Sequence, residues 1–244
     1  RVLMGIRNSQ GAHKPDVYIP ALYENVFRRI SFHLPQERSV MVEIGAGDGI
    51  GKQFLGDMIV SDIEYHHALD LTCRSEQLPF RDNSVDALVL KDALHHIPDV
   101  EAFLDEATRV LKIDGVAVIF DPYWGALARF GYTYLHQEAF DRGTKSWSFN
   151  ASSPWDSNQA LSYLLLRRDQ KQFAQRFPQL IPTELEVLVG SSFLLSGGVS
   201  RRTRISGRAL RRLLEWEMRR SSWLNPFRFF HIFSLTKRQI GNRQ

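Results

Sequence analysis

Two groups of residues have types and spacing suited to chemistry. Glu43 stands just before the turn Gly45-Ala46-Gly47-Asp48-Gly49, and Asp62 follows about one strand–helix–strand unit later. Glycines let the backbone approach a ligand closely and adopt positive φ. Free N–H groups at a helix start receive a carboxylate or phosphate, and an acid at the next strand end suits a ribose diol. This order of acid, glycine turn and acid is that of a nucleoside pocket. The second group is His95-His96, with Asp92, Asp121 and His136 as further proton acceptors at similar places in the chain. His66-His67 and His95-His96 lack the i, i+4 or Cys-x-x-Cys spacing that gathers ligands, so no metal site is expected.

The turn discriminates among nucleosides. A dinucleotide fingerprint needs a small residue three places after its second glycine; here that place holds Ile50 or Lys52. A Gly-Lys-Ser/Thr ending is also missing, since the run reads Gly51-Lys52-Gln53. A phosphate ligand is disfavoured. The form Glu43-Ile44-Gly45-Ala46-Gly47-Asp48-Gly49 instead resembles motif I of the class I S-adenosylmethionine-dependent methyltransferases. The series Leu78-Pro79-Phe80, Asp82-Asn83-Ser84-Val85-Asp86 and Leu94-His95-His96-Ile97 resembles the same family in order and spacing. So does Phe103 to Gly115, which looks like that family's helix and turn before strand five. The likeness spans residues 38–122.

The resemblance implies a Rossmann-like α/β fold: a mostly parallel seven-stranded sheet with an antiparallel last strand, helices on both faces and an insertion after strand five. It implies S-adenosylmethionine as cofactor. Glu43 would organise the methionine ammonium, and the backbone of Gly45, Ala46, Gly47 and Gly49 would line the cofactor. Asp62 would bind the ribose, Ile63 would pack on adenine, and the N–H of Ser75 would meet the ring. Lys91 and Asp92 would flank the methionine end, beside His95 and His96. One departure matters. Many relatives have Asp-Ala where this chain has Arg74-Ser75, and arginine has only donors to offer the adenine amine. Tyr134 to Asp141 and Ser196 to Ser200 resemble a bacterial subgroup associated with surface-polysaccharide or glycolipid assembly, which implies a glycan or lipid-linked acceptor.

Elements must hold these residues in place. Apolar positions from Val17 to Ile30 follow a helical stripe. Strands are expected near 40–44, 58–62, 67–71, 85–90 and 115–120, the last two as nearly unbroken apolar runs covered on both faces. A helix from Val100 to Leu111 carries Asp99 as its N-cap. The whole is one domain over 1–244, with an N-terminal helical segment (1–37), a cofactor-binding core (38–122), an aromatic-rich insertion (123–183) and C-terminal strands with a basic helix (184–244). The insertion reads either as a lid over the acceptor or as an extra core layer. Leu185 to Leu195 and Phe229 to Thr236 are the last strand candidates, joined by a helix at Ile205 to Arg219.

Composition agrees with a single folded domain: 43% hydrophobic and 24% charged residues. A lone Cys73 and no long apolar run favour a cytoplasmic setting. The net charge of +4 conceals an asymmetry, because the 12 Lys/Arg of residues 201–244 face only Glu215 and Glu217. That basic region is either a solvated helix face or a surface for an anionic membrane, nucleic acid or acidic substrate. Three functions follow: methyl transfer to a small-molecule or glycan-type acceptor at oxygen, a binding protein that has lost turnover, or an RNA methyltransferase. The RNA reading is disfavoured, since Asp121-Pro122-Tyr123-Trp124 only partly echoes the Asn/Asp-Pro-Pro-Tyr motif and follows strand five instead of four.

Overall fold

The computed structural model describes residues 17–37, 40–134, 138–153, 156–197, 203, 205–219 and 222–239. Seven strands form one sheet: β1 (Met41–Ile44), β2 (Ile59–Asp62), β3 (Leu71–Thr72), β4 (Val85–Lys91), β5 (Leu111–Pro122), β6 (Leu180–Leu188) and β7 (Phe230–Lys237). Their order is β3-β2-β1-β4-β5-β7-β6. The pairs β3/β2, β2/β1, β1/β4 and β4/β5 are parallel, and β7 runs antiparallel to both β5 and β6. The carboxyl ends of β1, β2, β4 and β5 therefore share one edge with the start of β7. In open α/β sheets, ligands bind at that edge.

Alternation along the central strands divides the core between two faces. Val89, Val118, Phe120 and Ile232 point to one side, where α1 (Tyr18–Phe32), α4 (Ala126–Tyr134), α7 (Ser191–Leu195) and α8 (Gly207–Glu217) cover them. Leu88, Leu90, Ala117, Ile119 and Phe233 point to the other, under α3 (Val100–Val110), α5 (Leu161–Tyr163) with its π-helical continuation Leu164–Arg168, and α6 (Gln170–Arg176). Each fully buried Leu, Val or Phe contributes roughly 1.5–3 kcal/mol, so these two layers hold the site edge rigid. A short α2 (Lys52–Leu55) follows the glycine turn and stops at Gly56, whose φ is +82°.

Caps fall where side chains dictate. Asp99 accepts from the Ala102 N–H at 3.1 Å and opens α3; Ser206 does the same for α8 through Ala209 at 3.2 Å. Two strand expectations need correction. Residues 67–70 are not a strand, and β3 is only Leu71–Thr72. The Asp70 carboxylate takes the Val60 N–H at 2.8 Å, so a side chain replaces the ladder there. The strand expected over Leu185 to Leu195 is instead β6, ending at Leu188, followed by helix α7. Val189 at φ +51° breaks the strand, and the Glu217 carboxylate takes the N–H groups of Gly190 and Ser192 at 3.1 and 3.0 Å, which caps the new helix. Among the described residues, no helix is long and apolar enough to cross a membrane.

Candidate active site

At the cofactor end, backbone geometry does most of the building. Gly45, Gly47 and Gly49 have φ of +70°, +60° and +73°, which L side chains rarely adopt. A Cβ at Gly45 would also come within 2.7 Å of the Ala93 Cβ, so the turn lies flat against the loop after β4. Asp62 fastens the turn to β2: its Oδ2 accepts the Gly47 N–H at 2.8 Å and its Oδ1 the Glu64 N–H at 3.0 Å. Ile63 beside it is 46% exposed, open to a planar ligand.

Glu43 lies under this turn, 1% exposed. A Cβ at Gly51 would collide with its carboxylate, so Gly51 is required for the acid to fit. Its Oε2 has no hydrogen-bond partner among the described residues. Burial pushes its pKa up to about 8; the Lys91 ammonium opposes that, while Asp48 and Asp62 add to it. A buried acceptor left open calls for a donor. Lys91 is buried 4.4 Å over the Tyr23 ring, which α1 supplies. Burial would lower the lysine pKa, but Tyr23, Asp92, Glu43 and Asp48 outweigh it and raise it.

The candidate acceptor end is made of side chains from four segments. Leu94–His96 form a 3₁₀ turn after β4. His95 Nδ1 lies 2.8 Å from Asp121 Oδ1, near the end of β5, and Ser162 of α5 donates to Asp121 Oδ2 at 3.0 Å. His95 and Asp121 are 3% and 0% exposed. Glu138, from the insertion, brings Oε2 to 3.7 Å from His95 Nε2. Burial disfavours charge on His95, yet the charge and hydrogen bond of Asp121, with Asp92 and Glu138, prevail and hold its pKa at about 9. His96 behaves oppositely: burial and then the neighbouring His95 lower its pKa to about 4.

The His95 and His96 rings lie side by side, with centroids 4.2 Å apart and planes tilted by 42°. Asp92 adopts φ +59° and donates its N–H to the Phe120 carbonyl at 2.7 Å, joining β4 to β5 between the two ends of the site. Arg74 points away and pairs with Glu76 at 2.8 Å, while the Ser75 hydroxyl donates to the same carboxylate at 2.9 Å. His136 lies outside the described residues. In the insertion, Tyr132 and Trp147 are buried core while Phe130 and Tyr134 are exposed. Sequence reasoning missed Gly51, Tyr23, Glu138 and Ser162 as site residues. Only Gly51 had a signal, as a fourth glycine at alternate positions in the turn.

Comparison with known proteins places this geometry. Residues 42–119 match a family model described as a methyltransferase domain. The ubiquinone/menaquinone biosynthesis C-methyltransferase UbiE of Sinorhizobium fredii is 30% identical over 111 residues, 46% of this chain. The chain spans only 35% of that relative's length. In fold, the chain is similar to the YcgJ protein of Bacillus subtilis, with a TM-score of 0.53 at 18% identity, over 89% of this chain and 100% of that one. It is also similar to the geranyl diphosphate C-methyltransferase of Streptomyces coelicolor A3(2), solved with Mg2+, geranyl diphosphate and S-adenosyl-L-homocysteine: TM-score 0.50 at 14% identity, over 97% and 88% of the two chains. Residues 42–119 thus match a methyltransferase domain, and they lie within a sheet of the Rossmann-like order seen in the solved methyltransferases.

Proposed function

We propose that this chain transfers the methyl group of S-adenosylmethionine to an oxygen of a small-molecule, glycan or lipid-linked acceptor. The observation that carries the reading is the open, buried Glu43 carboxylate oxygen beneath a positive-φ glycine turn that Asp62 anchors. An ammonium fits the first group and a ribose diol the second. A sulfonium methyl is already activated, so the site must chiefly align nucleophile, carbon and sulfur. Deprotonating an acceptor hydroxyl contributes typically about 10²–10⁴-fold, and the cluster of His95, Asp121 and Glu138 offers groups that could take that proton. The exposed Arg208 and Arg212 of α8, beside the Arg211–Glu215 ion pair, suit contact with an anionic membrane that presents a lipid-linked acceptor.

A carbon acceptor is the second reading, favoured by the ubiquinone/menaquinone C-methyltransferases among the relatives. Calorimetry with S-adenosylmethionine and S-adenosylhomocysteine tests the cofactor half. Binding should be tight in the native chain and lost in Asp62→Ala and Gly47→Leu; no binding, or binding indifferent to both changes, would refute the proposal. Methyl transfer from labelled donor into cell extract tests the acceptor half, with product NMR separating a methoxy group from a C-methyl group.

A further inference from the structure

We propose that His95, His96 and Glu138 form a site for one divalent transition-metal ion, with Asp121 as the outer carboxylate that holds His95. A ring nitrogen from each histidine and a carboxylate oxygen of Glu138 lie within 4.8 Å of one another. Two imidazoles and one carboxylate are a zinc-type set that keeps a coordination position open for a substrate oxygen. A tetrahedral ion with bonds of about 2.1 Å sets its ligand atoms about 3.4 Å apart. Glu138 is 31% exposed, so its side chain has room to close that difference.

The surroundings of the three groups point the same way. Metal-bound histidines use one nitrogen for the ion and give the other N–H to a carboxylate or a backbone carbonyl. His95 Nδ1 meets Asp121 Oδ1 at 2.8 Å, which turns Nε2 toward Glu138. His96 Nδ1 meets the Asp156 carbonyl oxygen at 3.3 Å. Asp121 is itself held by Ser162, and Glu138 receives the Ser157 hydroxyl at 3.1 Å and the Gln159 amide. An ion pair of His95 with two carboxylates would need neither the His96 ring nor the Asp156 carbonyl. Imidazole ligands select zinc, copper, iron or nickel over calcium and magnesium, which prefer all-oxygen shells.

The position gives the ion a task, which rests on the methyltransferase reading: bound to an acceptor oxygen, it would lower the hydroxyl pKa as it does for water. The ion's presence does not rest on that reading and is measured without cofactor. Co2+ is titrated into chelator-treated full-length protein and its visible d–d absorption followed, with Zn2+ as competitor. One saturable equivalent displaced by Zn2+ is expected. The band should be lost in His95→Ala and in Glu138→Ala, and Asp121→Asn should weaken it about 10- to 100-fold. S-adenosylmethionine binding in the same variants reports that they fold. Absence of saturable binding overturns the site, as does a band that survives both alanine variants. So does a band that disappears instead in His66→Ala, which would place an adventitious ion at the exposed His66-His67 pair. If the band behaves as expected but no methyl transfer is found, the functional reading fails and the site stands.

Discussion

The two ends of the site are built on different principles. The cofactor end is continuous in the chain, from Glu43 to Asp62, and its contacts come largely from backbone: three positive-φ glycines and an N–H handed to an aspartate. The candidate acceptor end takes His95 from a turn, Asp121 from a strand end, Glu138 from the insertion and Ser162 from a helix, and is built of side chains. A backbone pocket recognises one shape of ligand. A pocket of side chains gathered from separate segments can be altered by substitution without disturbing the glycine turn. Asp92, with its positive φ and its N–H bond to the Phe120 carbonyl, lies between them.

If the two ends are separable, damage to one should spare the other. The largest effect is expected from Asp62→Ala. It removes a charged acceptor worth about 1.5–3 kcal/mol per hydrogen bond and frees the glycine turn, so S-adenosylmethionine affinity should fall on the order of 100-fold or more by calorimetry. Next, Asp121→Asn should lower turnover about 10- to 100-fold with the cofactor Kd unchanged. A Kd that moved with turnover would show that the two ends act as one.

Glu43 sharpens the comparison through pH. Its carboxyl titrates near 4.5 when unfolded and at about 8 when folded, so the fold favours the protonated form. This group's contribution to stability is therefore greatest at low pH and declines as pH climbs from about 4.5 to about 8. Glu43→Gln, which cannot ionise, should raise the melting temperature of the free protein at pH 9, by roughly 2–4 °C for each kcal/mol recovered, and should weaken cofactor binding. An ammonium arriving at pH 7 favours the ionised carboxylate, so binding should release up to one proton. Calorimetry in buffers of different ionisation enthalpy reads that release, which Glu43→Gln should abolish while Asp121→Asn leaves it intact. The smallest effect is a gain: Arg74→Asp offers an acceptor for the adenine amine, worth about 0.5–1.5 kcal/mol, and should tighten the cofactor several-fold.

The sheet was legible in the sequence because apolar runs such as Val85 to Leu90 and Val116 to Phe120 can be satisfied only by strands covered on both faces. The joining helix expected at Ile205 to Arg219 is α8, Gly207–Glu217. The segment Leu185 to Leu195 was misread because its residues suit strand and helix alike. What turns it is Glu217, a capping carboxylate from 26 positions beyond Ser191. The short third strand has a similar cause, since Asp70 replaces ladder bonds with its side chain.

By itself the sequence determined the glycine turn and its anchoring acid, because glycine φ preferences and an acid at a strand end act within one stretch of chain. Only the tertiary structure decided that Gly51 must make room for Glu43, that Lys91 lies against Tyr23, and that His95 stands between Asp121 and Glu138. Those relations join residues that periodicity cannot connect. They exist only once the two buried faces of the sheet have fixed where each strand end and the insertion must lie.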